Sequence, residues 1–121
     1  MPVTYTIDHD QKLVYTTAEG VLTDQEVLSH RDRLMEEQID PLTYRQLVDL
    51  RGVEKIDICA GTIHDLSKTN PWGMGAHRAI VAPAKMLFNL ARLFQMNIEA
   101  HSDDIQVFHT LEDAKDYLGI V

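Results

Sequence analysis

The pattern of this chain predicts an α/β fold: a mostly parallel five-stranded sheet led by one antiparallel edge strand, in the order β-β-α-β-α-β-α-β-α. Three observations predict it. Short apolar extended segments alternate with amphipathic stretches of about ten to sixteen residues, the rhythm of strands joined by helical crossovers. The amphipathic stretches open on capping residues or on a proline suited to a first helical turn. The first two extended segments are separated by three polar residues only, too few for a crossover and enough for a hairpin.

The elements follow in order. Residues 3–8 alternate Val3, Tyr5 and Ile7 with Thr4, Thr6 and Asp8, and residues 12–18 carry a second extended pattern, with His9, Asp10 and Gln11 as the turn between them. Thr23-Asp24-Gln25-Glu26 is a capping box ahead of Val27, Leu28, Leu34 and Met35, which predicts a helix to about residue 38, before Pro41. Leu47, Val48 and Leu50 make a third strand over 46–50, apolar on both faces, with Asp49 near its end and a tight loop after it. Asp57 stands where a helix N-cap would, and the second helix carries Ile63 and Leu66 inward until Asn70-Pro71 stops it. Residues 77–82 form the fourth strand, Pro83 opens a helix over 84–96, and residues 105–108 form the fifth strand. Thr110-Leu111-Glu112-Asp113 then starts the last helix in the capping style.

At 121 residues and 45% hydrophobic the chain predicts one domain over residues 1–121, without linker, repeat or low-complexity tract. A net charge of −8 argues against general nucleic-acid binding, which needs a surplus of Lys and Arg to neutralise phosphates. The lone Cys59 cannot form an internal disulfide, and the start MPVTYTIDHD has neither a basic nor an apolar leader region, so a cytoplasmic setting is expected. The most apolar stretch, 84–96, is interrupted by Lys85, Asn89, Arg92 and Gln95 and falls short of the roughly 20 residues of a membrane span. The junction Ala18-Glu19-Gly20-Val21-Leu22-Thr23 lacks the GxGxxG of a dinucleotide site.

Asp49-Leu50-Arg51-Gly52-Val53, then Ile56-Asp57 and a helix, in this order of elements, resembles the STAS domain family and, more closely, the SpoIIAA-like proteins. The ending, with Val107-Phe108, Thr110, Glu112, Ala114 and Tyr117-Leu118, extends the resemblance over nearly the whole chain. The family includes anti-sigma-factor antagonists, in which an aspartate, one further residue and then a serine begin the second helix, and a partner kinase phosphorylates that serine. Counting from Asp57 puts Cys59 in the serine's place, and a thiol does not take up phosphate as a hydroxyl does. The resemblance thus implies a regulatory or binding domain without the phospho-switch.

No catalytic residue, cofactor or metal site is expected. His9, His30, His64, His77, His101 and His109 show no metal-ligand spacing and read as surface residues. Asp8-His9-Asp10 lies in a turn, and Glu36-Glu37, Asp103-Asp104 and Glu112-Asp113 lie at helix ends or loops, where carboxylates are favoured without catalysis. Cys59 reads as a small buried apolar side chain; the alternative is a thiol activated at a helix start, serving a small thiol enzyme or a redox sensor.

Charge is polarised along the chain. Residues 66–98 contain no Asp or Glu, where average usage would place about five, and carry Lys68, Arg78, Lys85 and Arg92. The remainder holds all 19 acids. Within the block lie the loop Asn70-Pro71-Trp72-Gly73-Met74-Gly75-Ala76 and an apolar helix whose Leu87, Leu90, Ala91 and Phe94 face the sheet, with Met86, Phe88, Leu93 and Met96 to spare. The function expected is a non-enzymatic regulatory or binding domain, using Trp72, Met74, Arg78, Lys85, Phe88, Arg92 and Leu93. Its target would be an apolar or amphipathic ligand, or an anionic membrane surface approached from the cytoplasm. The alternative is a protein-interaction module or homodimer built on Phe88 and Leu93.

Overall fold

A computed structural model describes residues 3–40, 43–68, 72, 77–82, 85, 88–89 and 105–120. Its centre is one five-stranded sheet in sequential order, β1 Val3–Asp8, β2 Leu13–Thr23, β3 Arg45–Asp57, β4 Arg78–Val81 and β5 Ile105–Phe108. β1 runs antiparallel to β2 and every other neighbouring pair is parallel, as the sequence predicts. The helices are α1 Asp24–Met35, α2 Ala60–Lys68 and α3 Leu111–Leu118. Lys85, Phe88 and Asn89 are helical too, while Pro71, Pro83 and the limits expected for the 84–96 helix lie outside the described residues.

The turns and caps follow their side chains. Asp8 Oδ1 accepts the backbone N–H of Asp10 and of Gln11, which closes the β1–β2 hairpin. Thr23 Oγ1 caps α1 through Glu26 N, and Thr110 Oγ1 caps α3 through Asp113 N. Gly119, at φ 72°, ends α3 in the left-handed conformation while Ile120 N reaches back to Lys115 O.

Several boundaries differ from expectation, each for a local reason. Helix α1 ends at Met35 and not near residue 38, because Glu36 N and Glu37 N already turn to Arg33 O and Leu34 O in tightened, three-residue steps. Residues 51–57 are strand where a tight loop was expected. β2 also extends to Thr23, and the two long strands stay paired as far as Thr23 opposite Asp57 by means of register shifts at Thr17/Glu19 and Gly20/Val21. Asp57 therefore ends a strand, and Asp49 lies inside one rather than near its end. The N-cap position of α2 falls to Cys59, whose carbonyl accepts Ile63 N.

The two faces of the sheet carry separate cores. On one, Val3, Ala18, Leu22, Val53, Ile80 and Ile105 pack with Val27 of α1, Ile58 and Phe88. On the other, Leu13, Leu47, Ala79 and Val81 pack against Ala114 and Leu118 of α3. Strand alternation assigns neighbours to opposite faces, so β3 sends Leu47 to the second core while Val48 and Leu50 pack with the first.

Candidate functional site

On the first face, beneath α1 and α2, the sheet and helices line a half-open cavity of about 160 Å³. Its walls are apolar, with Leu34, Val48, Leu50, Ile58 and Ile63 among the lining residues. Its buried polar residues come from three adjacent strands and one helix: Thr16 of β2, Gln46 of β3, Arg78 of β4 and His30 of α1. All four are buried.

These four form a continuous chain of hydrogen bonds. Gln46 stands opposite Arg78 in the parallel register, and Arg78 Nε donates to Gln46 Oε1 at 3.1 Å. Gln46 Nε2 donates to Thr16 Oγ1 at 3.2 Å, and Thr16 Oγ1 lies 3.1 Å from His30 Nε2. With the His30 proton on Nδ1, Thr16 donates to Nε2 and every bond points the same way, from the guanidinium toward the imidazole. The guanidinium carbon of Arg78 lies over the indole of Trp72, 5.5 Å from the ring centroid. Arg31, also at the cavity, joins α1 to α2 through Asp65 at 3.5 Å and bonds Asp32 at 3.1 Å.

Burial sets the charges. It pulls His30 down to about 4, with the Arg33 and Arg78 charges adding to the effect, so the imidazole is neutral at pH 7. It also pulls Arg78 down to about 9, which leaves the guanidinium charged at neutral pH. The cavity thus holds a fixed, oriented cation among apolar walls.

A second polar cluster lies on the other face. The Asp49 carboxylate takes a two-pronged bond from Arg51, at 2.9 Å on each oxygen, and accepts the Arg51 N–H and the Tyr15 hydroxyl. Burial pushes this carboxyl up, but these donors outweigh it and hold it below the usual carboxylate range. Every Asp49 contact is to its own strand or the next, which makes it a brace of the sheet.

Among solved structures the chain is similar to the crystal structure of an uncharacterized protein from the DUF3478 family, with a SpoIIAA-like fold, from Shewanella loihica PV-4. The TM-score is 0.58 at 14% sequence identity, covering 96% of this chain and 91% of that one. This chain has a SpoIIAA-like fold. No family model and no curated protein matches the sequence.

Within the SpoIIAA-like fold the residues singled out by sequence fall in different places. Trp72 and Arg78 meet at the cavity, while Lys85 is exposed on its helix. Phe88 packs with the first core and stacks on His109 at 4.0 Å between ring centres. Met74, Arg92 and Leu93 lie outside the described residues. Cys59 is exposed, contrary to the buried position expected, because the cap of α2 sits on an outer turn: its N–H donates to Asp24 Oδ1 at 2.9 Å and its sulfur lies 3.3 Å from Thr62 Oγ1. It does not line the cavity.

His30 corrects the reading of the histidines as surface residues, being only 9% exposed. The signal for it was present: His30 falls three residues after Val27 and four before Leu34, on the inward stripe of α1. Thr16 and Gln46 likewise occupy inward positions of strands whose other residues on that face are apolar. Among the described residues no group of His, Cys, Asp and Glu could hold a metal ion, and no helix is long and apolar enough to cross a membrane.

Proposed function

We propose that this protein is a non-enzymatic binding domain that takes a small apolar or amphipathic molecule into the cavity between its sheet and the helices α1 and α2. The observation that carries this reading is the cavity itself: about 160 Å³, lined by apolar side chains with a few convergent polar groups at one level of the sheet, the composition of a ligand site. The polar groups are bonded to one another, which suits orientation of a guest better than proton transfer or nucleophilic attack. Trp72 and Arg78 meet at this cavity, which favours a ligand held in the cavity over a flat membrane surface as the target of the acid-free segment.

Trp72 is the sole tryptophan and reports on the cavity directly. Medium-chain amphiphiles of different head groups, titrated into the protein, are expected to shift its emission saturably. An Ile63→Phe variant, which puts a larger ring into the cavity wall, is expected to weaken binding tenfold or more while keeping the far-UV circular dichroism. Unchanged Trp72 emission across the whole series, together with no heat of binding, would sink this reading.

A further inference from the structure

We infer that His30 presents its Nδ1–H to the cavity and that the cavity recognises a guest by it: an uncharged carbonyl compound, a ketone, aldehyde or ester on one small apolar body. This rests on the binding reading above and adds the chemistry of the guest and the residue that reads it.

The hydrogen-bond chain decides where the His30 proton sits. A guanidinium only donates, so the Gln46 atom facing Arg78 Nε is the amide oxygen, and the amide nitrogen is turned to Thr16. Thr16 Oγ1 accepts from that nitrogen, and the acceptor within reach of its own proton is His30 Nε2, at 3.1 Å. Burial keeps the imidazole neutral at pH 7, and a neutral ring that accepts at Nε2 carries its proton at Nδ1. Arg78, Gln46 and Thr16 thus hold His30 in one tautomer and leave one donor at the end of the chain.

That donor is unbonded and open to a guest. Among the described residues Nδ1 has no hydrogen-bond acceptor, although the ring is buried. It is not sealed in: among the described residues the side-chain polar atom that is both sealed and unbonded is Glu26 Oε2. His30 lines the cavity together with Val27 and Leu34 of the same helix, while Tyr5 stands edge-on to its ring. The access left to so buried a ring is from the cavity it lines.

The chemistry of the guest follows from the donor. An unpaired N–H among apolar walls calls for an acceptor, because leaving it unmet costs the desolvation of the group with nothing in return. A carbonyl oxygen supplies one, brings no proton that needs a partner of its own, and is far less costly to take out of water than a carboxylate. At about 160 Å³ the cavity is small beside ordinary ligand pockets of roughly 300–1,000 Å³, which suits one small ring or one short chain.

The test uses the whole protein at pH 7 and two probes of one shape: cyclooctanone, and methylenecyclooctane, in which a methylene group replaces the oxygen. Trp72 emission and calorimetry give both affinities, and infrared absorption follows the bound carbonyl. The C=O stretch of bound cyclooctanone is expected below its value in an alkane, as a hydrogen bond requires, and is expected to return to that value in His30→Leu. The alkene is driven harder out of water, so the ratio of the two affinities is the measure, and it is expected to fall roughly tenfold in His30→Leu. Proton–nitrogen NMR correlations within the His30 ring are expected to show the Nδ1–H form before any probe is added, and to shift at Nδ1 with the ketone and not with the alkene. If His30→Leu does not fold, these wild-type spectra decide. An alkane-like stretch in wild type, an unchanged stretch or ratio in His30→Leu, or an Nε2–H ring would overturn this inference while leaving a general apolar site standing. Failure of both probes to bind would overturn the binding reading itself.

Discussion

His30 shows how one residue can serve a site and cost stability at the same time. Its ring is edge-on to Tyr5, its Nε2 meets Thr16, and the charges of Arg33 and Arg78 bear on it. A histidine in the unfolded chain takes up a proton as pH falls through about 6.5, whereas folded His30 stays neutral to about 4. Between those values the unfolded state binds more protons, so His30 removes stability as pH falls, on the order of 3 kcal/mol by pH 4. Urea unfolding at pH 7 to 4.5 is expected to show this slope in wild type and a flatter one in His30→Gln; parallel curves would refute it. Asp49 and Asp24 titrate in a lower window. Their folded carboxyls lie below the ordinary range, so the stability they give is present above the unfolded pKa and lost only as pH falls beneath it. These site residues were hard to see in the sequence for one reason: Thr16, His30 and Gln46 are polar side chains in apolar patterns, and only packing shows that they satisfy one another. Arg78 and Trp72 were singled out for their charge and size, whereas their contact with each other depends on tertiary structure.

At the scale of elements, the β2–β3 pair positions the cavity and was also where sequence reading fell short. The apolar runs, the hairpin turn and the capping threonines were legible because each is a local signal. The continuation of β3 through Arg51-Gly52-Val53-Glu54 was not, because Gly and charged residues read as loop. Long parallel pairing with β2, through two register shifts, overrides that local preference. Gly52 marks the closest approach: a Cβ there would lie 3.0 Å from Glu19 Cβ and 3.3 Å from Ala18 O. Gly52→Ala is therefore expected to cost about 1–3 kcal/mol, since neither neighbour is the free end of a side chain. Gly61, within α2, provides the contrast, with Cys59 Sγ at 4.0 Å the nearest atom to an added Cβ among the described residues outside the helix's own backbone and its chain neighbours. Gly61→Ala is expected to be neutral or stabilising by up to about 1 kcal/mol, because alanine restricts the unfolded chain and favours the helix. Denaturant midpoints of the two variants check both statements, and equal midpoints would contradict the close-packing argument.

Over the whole molecule, a net charge of −8 surrounds a cavity whose charged lining, among the described residues, is Arg31 and Arg78. The two fields act over different distances. An anion in bulk solution meets the repulsion of the whole surface, and salt weakens it, because the screening length falls from about 10 Å at 0.1 M to about 3 Å at 1 M. An uncharged ketone meets no such repulsion, and once it is seated beside His30, which is buried, its hydrogen bond lies in surroundings that salt penetrates poorly. Raising sodium chloride from about 0.05 to 0.5 M should therefore leave cyclooctanone dissociation nearly unchanged and alter its association only slightly. Salt also drives apolar groups out of water, and methylenecyclooctane, with the same ring and no oxygen, measures that contribution alone. Stopped-flow Trp72 fluorescence gives both rates for both ligands. A cyclooctanone affinity that changes several-fold with salt, relative to the alkene, would mean that the guest is held by exposed charges and not by the buried imidazole.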